Sequence, residues 1–220
     1  MSSSRQAYLS AMGLQAWVLR GPAPPAPSAP DLPDAALDWP GLRDRVASCT
    51  RCALSGTRTQ TVFGVGNADA GWLVVGEAPG AEEDARGEPF VGRAGQLLNA
   101  MLRAIGLRRE EVFIANVLKC RPPGNRDPTA DEVTQCLPYL HRQVELLQPK
   151  IMLVVGRIAA QTLLRTGASL ASLRQRRHAF GPGRVPLVVT YHPAYLLRTP
   201  TDKRKAWDDL KFAREVYAGV

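Results

Sequence analysis

The sequence contains no apolar run approaching the roughly 18 uninterrupted residues that a bilayer-spanning helix needs, so nothing in it reads as a membrane span. It has no GK[ST] phosphate-cradling loop and no Ser–His–Asp set, which leaves phosphoryl or acyl transfer without support. It has no internal repeat, which argues against a solenoid or propeller. Cysteine is sparse, with only four residues, and the N-terminal stretch lacks a compact apolar segment with a cleavage site. A disulfide scaffold of the small secreted kind is therefore a poor fit.

What is there supports a packed domain. Hydrophobic residues make up 45% of the 220 positions, and the net charge is +8. In residues 1–48 four arginines are cancelled by four aspartates, so the excess lies in 49–220, much of it after residue 160. A basic domain suits a polyanionic partner, most often nucleic acid.

Along the chain, residues 1–20 space Tyr8, Leu9, Met12, Leu14, Trp17, Val18 and Leu19 as a short amphipathic helix, a docking or partner-binding tail. Residues 21–40 are Pro/Ala-rich and read as a semi-extended linker. The organisation expected is an N-terminal extension over 1–40 and a folded domain over 41–220. Within the domain, strands are expected at Trp72–Gly76, Val112–Val117, Ile151–Val155 and Pro186–Thr190. Helices are expected at Arg93–Ile105, from Asp127 to about Leu147, from Arg157 to about Arg165, and at Lys203–Tyr217, with a turn or two at Leu42–Ser48. This alternation argues for the α/β class, with a mostly parallel, helix-covered sheet.

Cys49 and Cys52 form a C-x2-C pair, and Cys120 and Cys136 flank the loop after the second strand. A C-x2-C turn presents two thiolates to a metal or cluster, and one fold could gather all four. Iron–sulfur and structural zinc both want four thiolates, and spacing does not choose between them. A thioredoxin-like use of the first pair would leave Cys120 and Cys136 without a role.

The loops at the carboxyl ends of three strands collect the chemistry. The first is GEAPGAEEDARGEPFVG, with Glu77 and Phe90; the second opens with Asn116; the fourth strand ends in Tyr191-His192-Pro193. In a parallel sheet these loops meet at one edge, where open α/β folds bind ligands. Singly, each has a plain alternative: Asn116 as a turn residue, His192 as a surface histidine, Phe90 as core.

Together the blocks GEAPG-x3-D, PFVG-x-AGQLL, N-x3-C-RPP-x-NR and HPA, with all four cysteines in order, resemble the family 4 uracil-DNA glycosylases over about residues 41–217. Family 5 relatives usually lack the acid at the position of Glu77, and the RQRRH run ending at His178 differs from the RIH loop of a covalently trapping relative. His178 is thus expected at the surface or on phosphate. The resemblance implies a three-layer α/β/α fold with a central four-stranded parallel sheet. It implies a [4Fe–4S] cluster on Cys49, Cys52, Cys120 and Cys136, with a structural role.

The resemblance also implies hydrolysis of the N-glycosidic bond of uracil flipped out of DNA. Glu77 and His192 would be catalytic, and Ala78, Glu83, Phe90 and Asn116 would hold the base. Lys119, Arg121, Tyr195, Leu196, Leu197 and Arg198 would engage the DNA, with Arg174, Arg176 and Arg177 on further phosphates. A monomer in the cytoplasm, at the nucleoid, is expected, with a protein partner for residues 1–40. Two other classes stay open on sequence: a cluster-bearing nucleic-acid-binding module without catalysis, attached to replication proteins, and a zinc-stabilised transfer enzyme.

The charge excess has a direct consequence. DNA affinity should fall steeply with salt, roughly 100-fold between about 50 and about 200 mM if about four phosphates are neutralised. A filter-binding or anisotropy series that stays flat would contradict the basic-face reading.

Overall fold

The structure, a computed structural model, describes residues 37–219. The helix expected in 1–20 and nearly all of the linker lie outside the described residues.

The first helix among the described residues, α1 (Trp39–Ala47), is capped by Asp38, whose carboxylate accepts the Gly41 N–H at 3.0 Å. Six strands follow in chain order: β1 (Val65–Gly66), β2 (Trp72–Gly76), β3 (Phe113–Asn116), β4 (Ile151–Val155), β5 (His178–Phe180) and β6 (Val185–Thr190). They form one sheet in the order β1-β3-β2-β4-β6-β5. The four central strands are parallel, and β1 and β5 add antiparallel edges. The expected four-stranded parallel sheet is thus the centre of a six-stranded one. The edge strands are two and three residues long, too short to show a period in sequence.

Helices cover both faces, because alternate strand residues need burial on opposite sides. Leu73, Val75, Met152, Val154, Leu187 and Val189 pack with Leu42 and Val46 of α1. The same layer holds Tyr139, Leu140 and Val144 of α4 (Ala130–Leu147) and Ala160 of α5 (Arg157–Leu164). Trp72, Val74, Leu153, Val155 and Val188 pack on the other side. There they meet Leu98 and Leu102 of α3 (Arg93–Ala104) and Leu210 and Ala213 of α8 (Lys203–Ala218).

Three short helices were not legible in advance: α2 (Ala81–Arg86) inside the acidic loop, α6 (Leu170–Leu173), and α7 (Pro193–Arg198). The helix expected from Asp127 starts at Ala130 instead. Thr129 caps it, its hydroxyl accepting the Glu132 N–H while the Glu132 carboxylate accepts the Thr129 N–H at 2.8 Å.

The carboxyl end of β6 is anchored from below. Asp209 of α8 is fully buried and accepts bonds from Arg174 Nε at 2.7 Å, Gln175 Nε2 at 2.8 Å and the Thr190 hydroxyl at 2.8 Å. Arg174 also lies over the Tyr191 ring, 4.5 Å from its centroid, and donates to the Lys205 carbonyl. The expectation that Arg174 holds phosphate is therefore corrected: its guanidinium is spent inside the fold, while Arg176 and Arg177 are exposed. Asp209→Ala would strand this buried cation and two further donors. It should cost about 3 kcal/mol, read as a lowered denaturation midpoint; a loss under about 1 kcal/mol would mean the network is dispensable.

Candidate active site

The parallel pairing of β2 and β3 sets Gly76 opposite Asn116. The pairing continues past the strand ends, with Val117 N–H on the Gly76 carbonyl and Leu118 N–H on the Glu77 carbonyl, both at 3.0 Å. The backbone that carries Glu77 is therefore tied to the backbone that carries Asn116. Gly76 is required by close approach: a Cβ there would lie 2.4 Å from Asn116 Oδ1 and 2.7 Å from Phe90 Cζ. The ring and the carboxamide pack directly over bare backbone.

His192 follows β6 and is the N-cap of α7. Its Nδ1 accepts the Ala194 N–H at 3.1 Å. Its ring stands 5.6 Å from the Phe90 ring, tilted by 31°. Glu77, Ala78, Glu83, Phe90, Asn116 and His192 all line one cavity of about 430 Å³, within the size range of small-molecule sites.

The electrostatics divide these groups. Burial, with Asp127 nearby, raises the Glu77 carboxyl from its ordinary range to about 7, against the pull of Arg157. Burial, then Arg198, lowers the His192 imidazole to about 4, so the ring is neutral near pH 7. Because Nδ1 is an acceptor in a neutral ring, the proton sits on Nε2. Asn116 is 2% exposed, and its Oδ1 is buried with no hydrogen-bond partner among the described residues. A buried amide oxygen left unpaired is costly unless a ligand supplies the donor.

Not every expected residue reaches the cavity in the expected role. Glu83 borders it, but its oxygens already accept the N–H groups of Gly80, Val91 and Gly92 at 3.1, 3.0 and 3.4 Å. It holds the loop. Lys119, expected on phosphate, is 1% exposed. Its Nζ donates to the Asn116 carbonyl at 2.9 Å and to Gln143 Oε1 at 2.6 Å, and burial lowers its pKa to about 8. It braces Asn116 from behind and cannot touch DNA. Leu196, expected to engage the DNA, is 1% exposed and belongs to the core beneath α7. Tyr195 lines the cavity with its hydroxyl on Asp202 at 2.7 Å and its ring stacked on Tyr191. Leu197 and Arg121 are half-buried, and Arg198 is exposed at the cavity. His178 sits on the edge strand β5 with Nε2 against the Leu173 carbonyl at 2.8 Å.

Sequence reasoning missed Asp127, Asn125 and Arg126, which also line the cavity, and Arg157, which pairs with Asp127 at 3.4 Å. Asn125 and Arg126 stand in the RPP-x-NR block without a role assigned to them, and the stretch from Asp127 reads as a helix start.

All four cysteines are free thiols and line a second pocket with Arg58, Lys119 and Tyr139. Lys119 N–H points at Cys136 Sγ and Arg58 Nη1 at Cys120 Sγ, each at 3.2 Å. Burial pushes the Cys136 thiol up to about 12 and raises Cys120 as well. Among the described residues, no three His, Cys, Asp or Glu side chains are gathered in a way that would hold a single metal ion.

The uracil DNA glycosylase superfamily model matches residues 63–211. A type-4 uracil-DNA glycosylase of Archaeoglobus fulgidus is 45% identical over 76% of this chain and 86% of its own length. One from Thermotoga maritima is 41% identical over 78% of this chain and 90% of its own. The chain belongs to the type-4 uracil-DNA glycosylases. A type-5 enzyme of Pyrobaculum aerophilum is more distant, at 32% over 60% of this chain. Membership agrees with the α/β fold, a sheet covered by helices. Among the described residues no helix is long and apolar enough to cross a membrane.

The raised Glu77 carboxyl implies a stability cost. Its folded-state pKa of about 7 lies above the ordinary 4.5, so the group favours the fold fully below about 4.5. That contribution is lost as the pH rises to 7, where the buried carboxylate ionises. Glu77→Gln should therefore melt higher than wild type at pH 8, by the equivalent of about 1–2 kcal/mol after discounting for solvent screening. The gain should vanish near pH 4; a gain independent of pH would remove the desolvation account.

Proposed function

We propose that this cavity is where the chain extracts uracil from DNA and hydrolyses its N-glycosidic bond, leaving an abasic site for base excision repair. The observation that carries the reading is the unpaired, buried Oδ1 of Asn116 beside the Phe90 ring. A flipped uracil presents N3–H to that oxygen and its O4 to the amide N–H, while cytosine presents the opposite pattern. A buried amide left mispaired discriminates strongly.

The residues divide the chemistry as follows. Phe90 stacks on the flipped base. As the bond between C1′ and N1 breaks, its electron pair leaves with uracil, placing negative charge on N1 and O2 and positive charge on the sugar. His192 donates Nε2–H toward O2; as a neutral ring it offers a hydrogen bond without becoming a competing acid. Glu77, ionised, stabilises the cationic sugar, orients a water toward C1′ and accepts its proton. Arg121 and Arg198 hold phosphates, and Leu197 is the side chain left to fill the vacated stack.

The cysteine pocket fits an iron–sulfur cluster in its donor set: four thiols, two of them already facing N–H donors. All four thiols line that one pocket, and the likeness to the type-4 enzymes is what selects an iron–sulfur cluster over a single zinc. We assign a [4Fe–4S] cluster to Cys49, Cys52, Cys120 and Cys136. Bound, it supplies thiolate stabilisation and a staple joining residues 49–52 to the Asn116 loop. We further assign residues 1–40 as an extension that docks a protein partner, 41–220 as the glycosylase domain, and a monomer working on the DNA of the nucleoid in the cytoplasm.

A labelled uracil-containing oligonucleotide, treated with protein and then alkali, tests this reading. Strand cleavage at uracil is expected, with kcat/KM falling about tenfold per pH unit below about 7 as Glu77 protonates. Glu77→Gln should lose at least about 100-fold in turnover while still binding DNA, and Asn116→Asp should weaken the rejection of cytosine. An intact, brown protein that releases no uracil would instead favour a non-catalytic binding module.

A further inference from the structure

We propose that Arg109 is a positioning residue for the stacking ring, holding Phe90 in the backbone conformation that aims it into the cavity. The inference rests on reading that cavity as the uracil site. Phe90 has φ +54°, in the left-handed region that a bulky side chain rarely adopts. Such a conformation persists only where the surroundings over-determine it.

Here they do so from three sides. Arg109 Nη2 donates to the Pro89 carbonyl at 2.6 Å, and Nη1 donates to the Phe90 carbonyl at 3.3 Å and to Asn99 Oδ1 at 3.2 Å. One guanidinium therefore fixes two consecutive carbonyls and is itself steadied by α3. On the opposite side the Glu83 carboxylate takes the next two N–H groups, those of Val91 and Gly92. Below, the Phe90 carbonyl lies so close to α3 that a Cβ on Gly95 would stand 1.8 Å from it. A cation on the carbonyls, an anion on the N–H groups and a bare glycine beneath leave the peptide one conformation.

Arg109 does not line the cavity. It acts through Phe90, and its segment leads directly into β3, which ends at Asn116. Without the fork, the 89–90 peptides are free to relax toward extended backbone, and the ring leaves the site where a flipped base would stack. Phosphate contacts, set by other elements, should be untouched.

The test uses the full-length protein and three readouts: inhibition by free uracil, binding to abasic DNA, and fluorescence of 2-aminopurine placed beside uracil as a reporter of base extrusion. Arg109→Met should weaken uracil inhibition and raise KM roughly 10-fold. It should also reduce the extrusion signal, with abasic-DNA affinity within about 2-fold of wild type. The acid limb of the pH profile near 7 should not move. Arg109→Lys, which can reach one carbonyl, should recover part of the loss. Asn99→Ala should give a smaller loss in the same direction and remains decisive if Arg109→Met does not fold. Wild-type uracil affinity in these variants, or equal losses for uracil and abasic DNA, would overturn the assignment. Wild-type protein that releases no uracil would defeat the functional reading itself; normal wild-type turnover with insensitive variants would defeat only the role of Arg109.

Discussion

The site depends on one backbone register: Gly76 opposite Asn116 at the carboxyl ends of two parallel strands. Parallel pairing lets adjacent strands end together, and the glycine removes the side chain that would occupy the space between them. Into that space come the Asn116 carboxamide and the edge of the Phe90 ring. The continued ladder from Glu77 to Leu118 then gives the acid and the amide a fixed separation. Shifting the register by one residue would turn Asn116 to the other face of the sheet. The residues proposed for specificity and for catalysis thus share one constraint, supplied by the strand register.

Around this register the protein sets opposite ionisation problems in one cavity. Glu77 is kept reluctant to ionise by burial and by Asp127, while His192 is kept reluctant to accept a proton by burial and by Arg198. In the proposed mechanism the first acts charged and the second neutral, which would open the working range as Glu77 deprotonates. The groups behind the cavity are as specific as those that line it. Lys119 joins the Asn116 carbonyl to Gln143 and lends its N–H to Cys136, so the thiol pocket and Asn116 share one brace. Asp209 does the same for the strand that delivers His192.

Much of this was legible in the residues. WLVVG and IMLVV are continuous apolar runs, as strands buried on both faces must be, and the carboxyl-end loops could be assigned to one edge once the sheet was taken as parallel. The four cysteines line one pocket, although among the described residues no three of them are grouped to hold a metal ion. What escaped has physical reasons. Edge strands β1 and β5 owe their pairing to neighbours and not to a pattern of their own. Lys119 carries a charge, and only the packing of Gln143 and the strand end reveals that it is buried. Leu196 and Leu197 are adjacent on a six-residue helix, too short for periodicity to say which faces the core. Arg174 and Arg109 look like surface cations in sequence; their acceptors, Asp209 and the Pro89 and Phe90 carbonyls, are remote or are backbone, and so leave no motif.

The most direct measurement compares free uracil with 3-methyluracil as ligands of the purified protein, by calorimetry. Methylation removes only the N3–H that Asn116 Oδ1 is read to accept and leaves the stacking face intact. Binding of uracil with loss of detectable binding for the methylated base is the expected result. Equal affinities would mean that the unpaired carboxamide does not read the base, and would contradict the account at its centre.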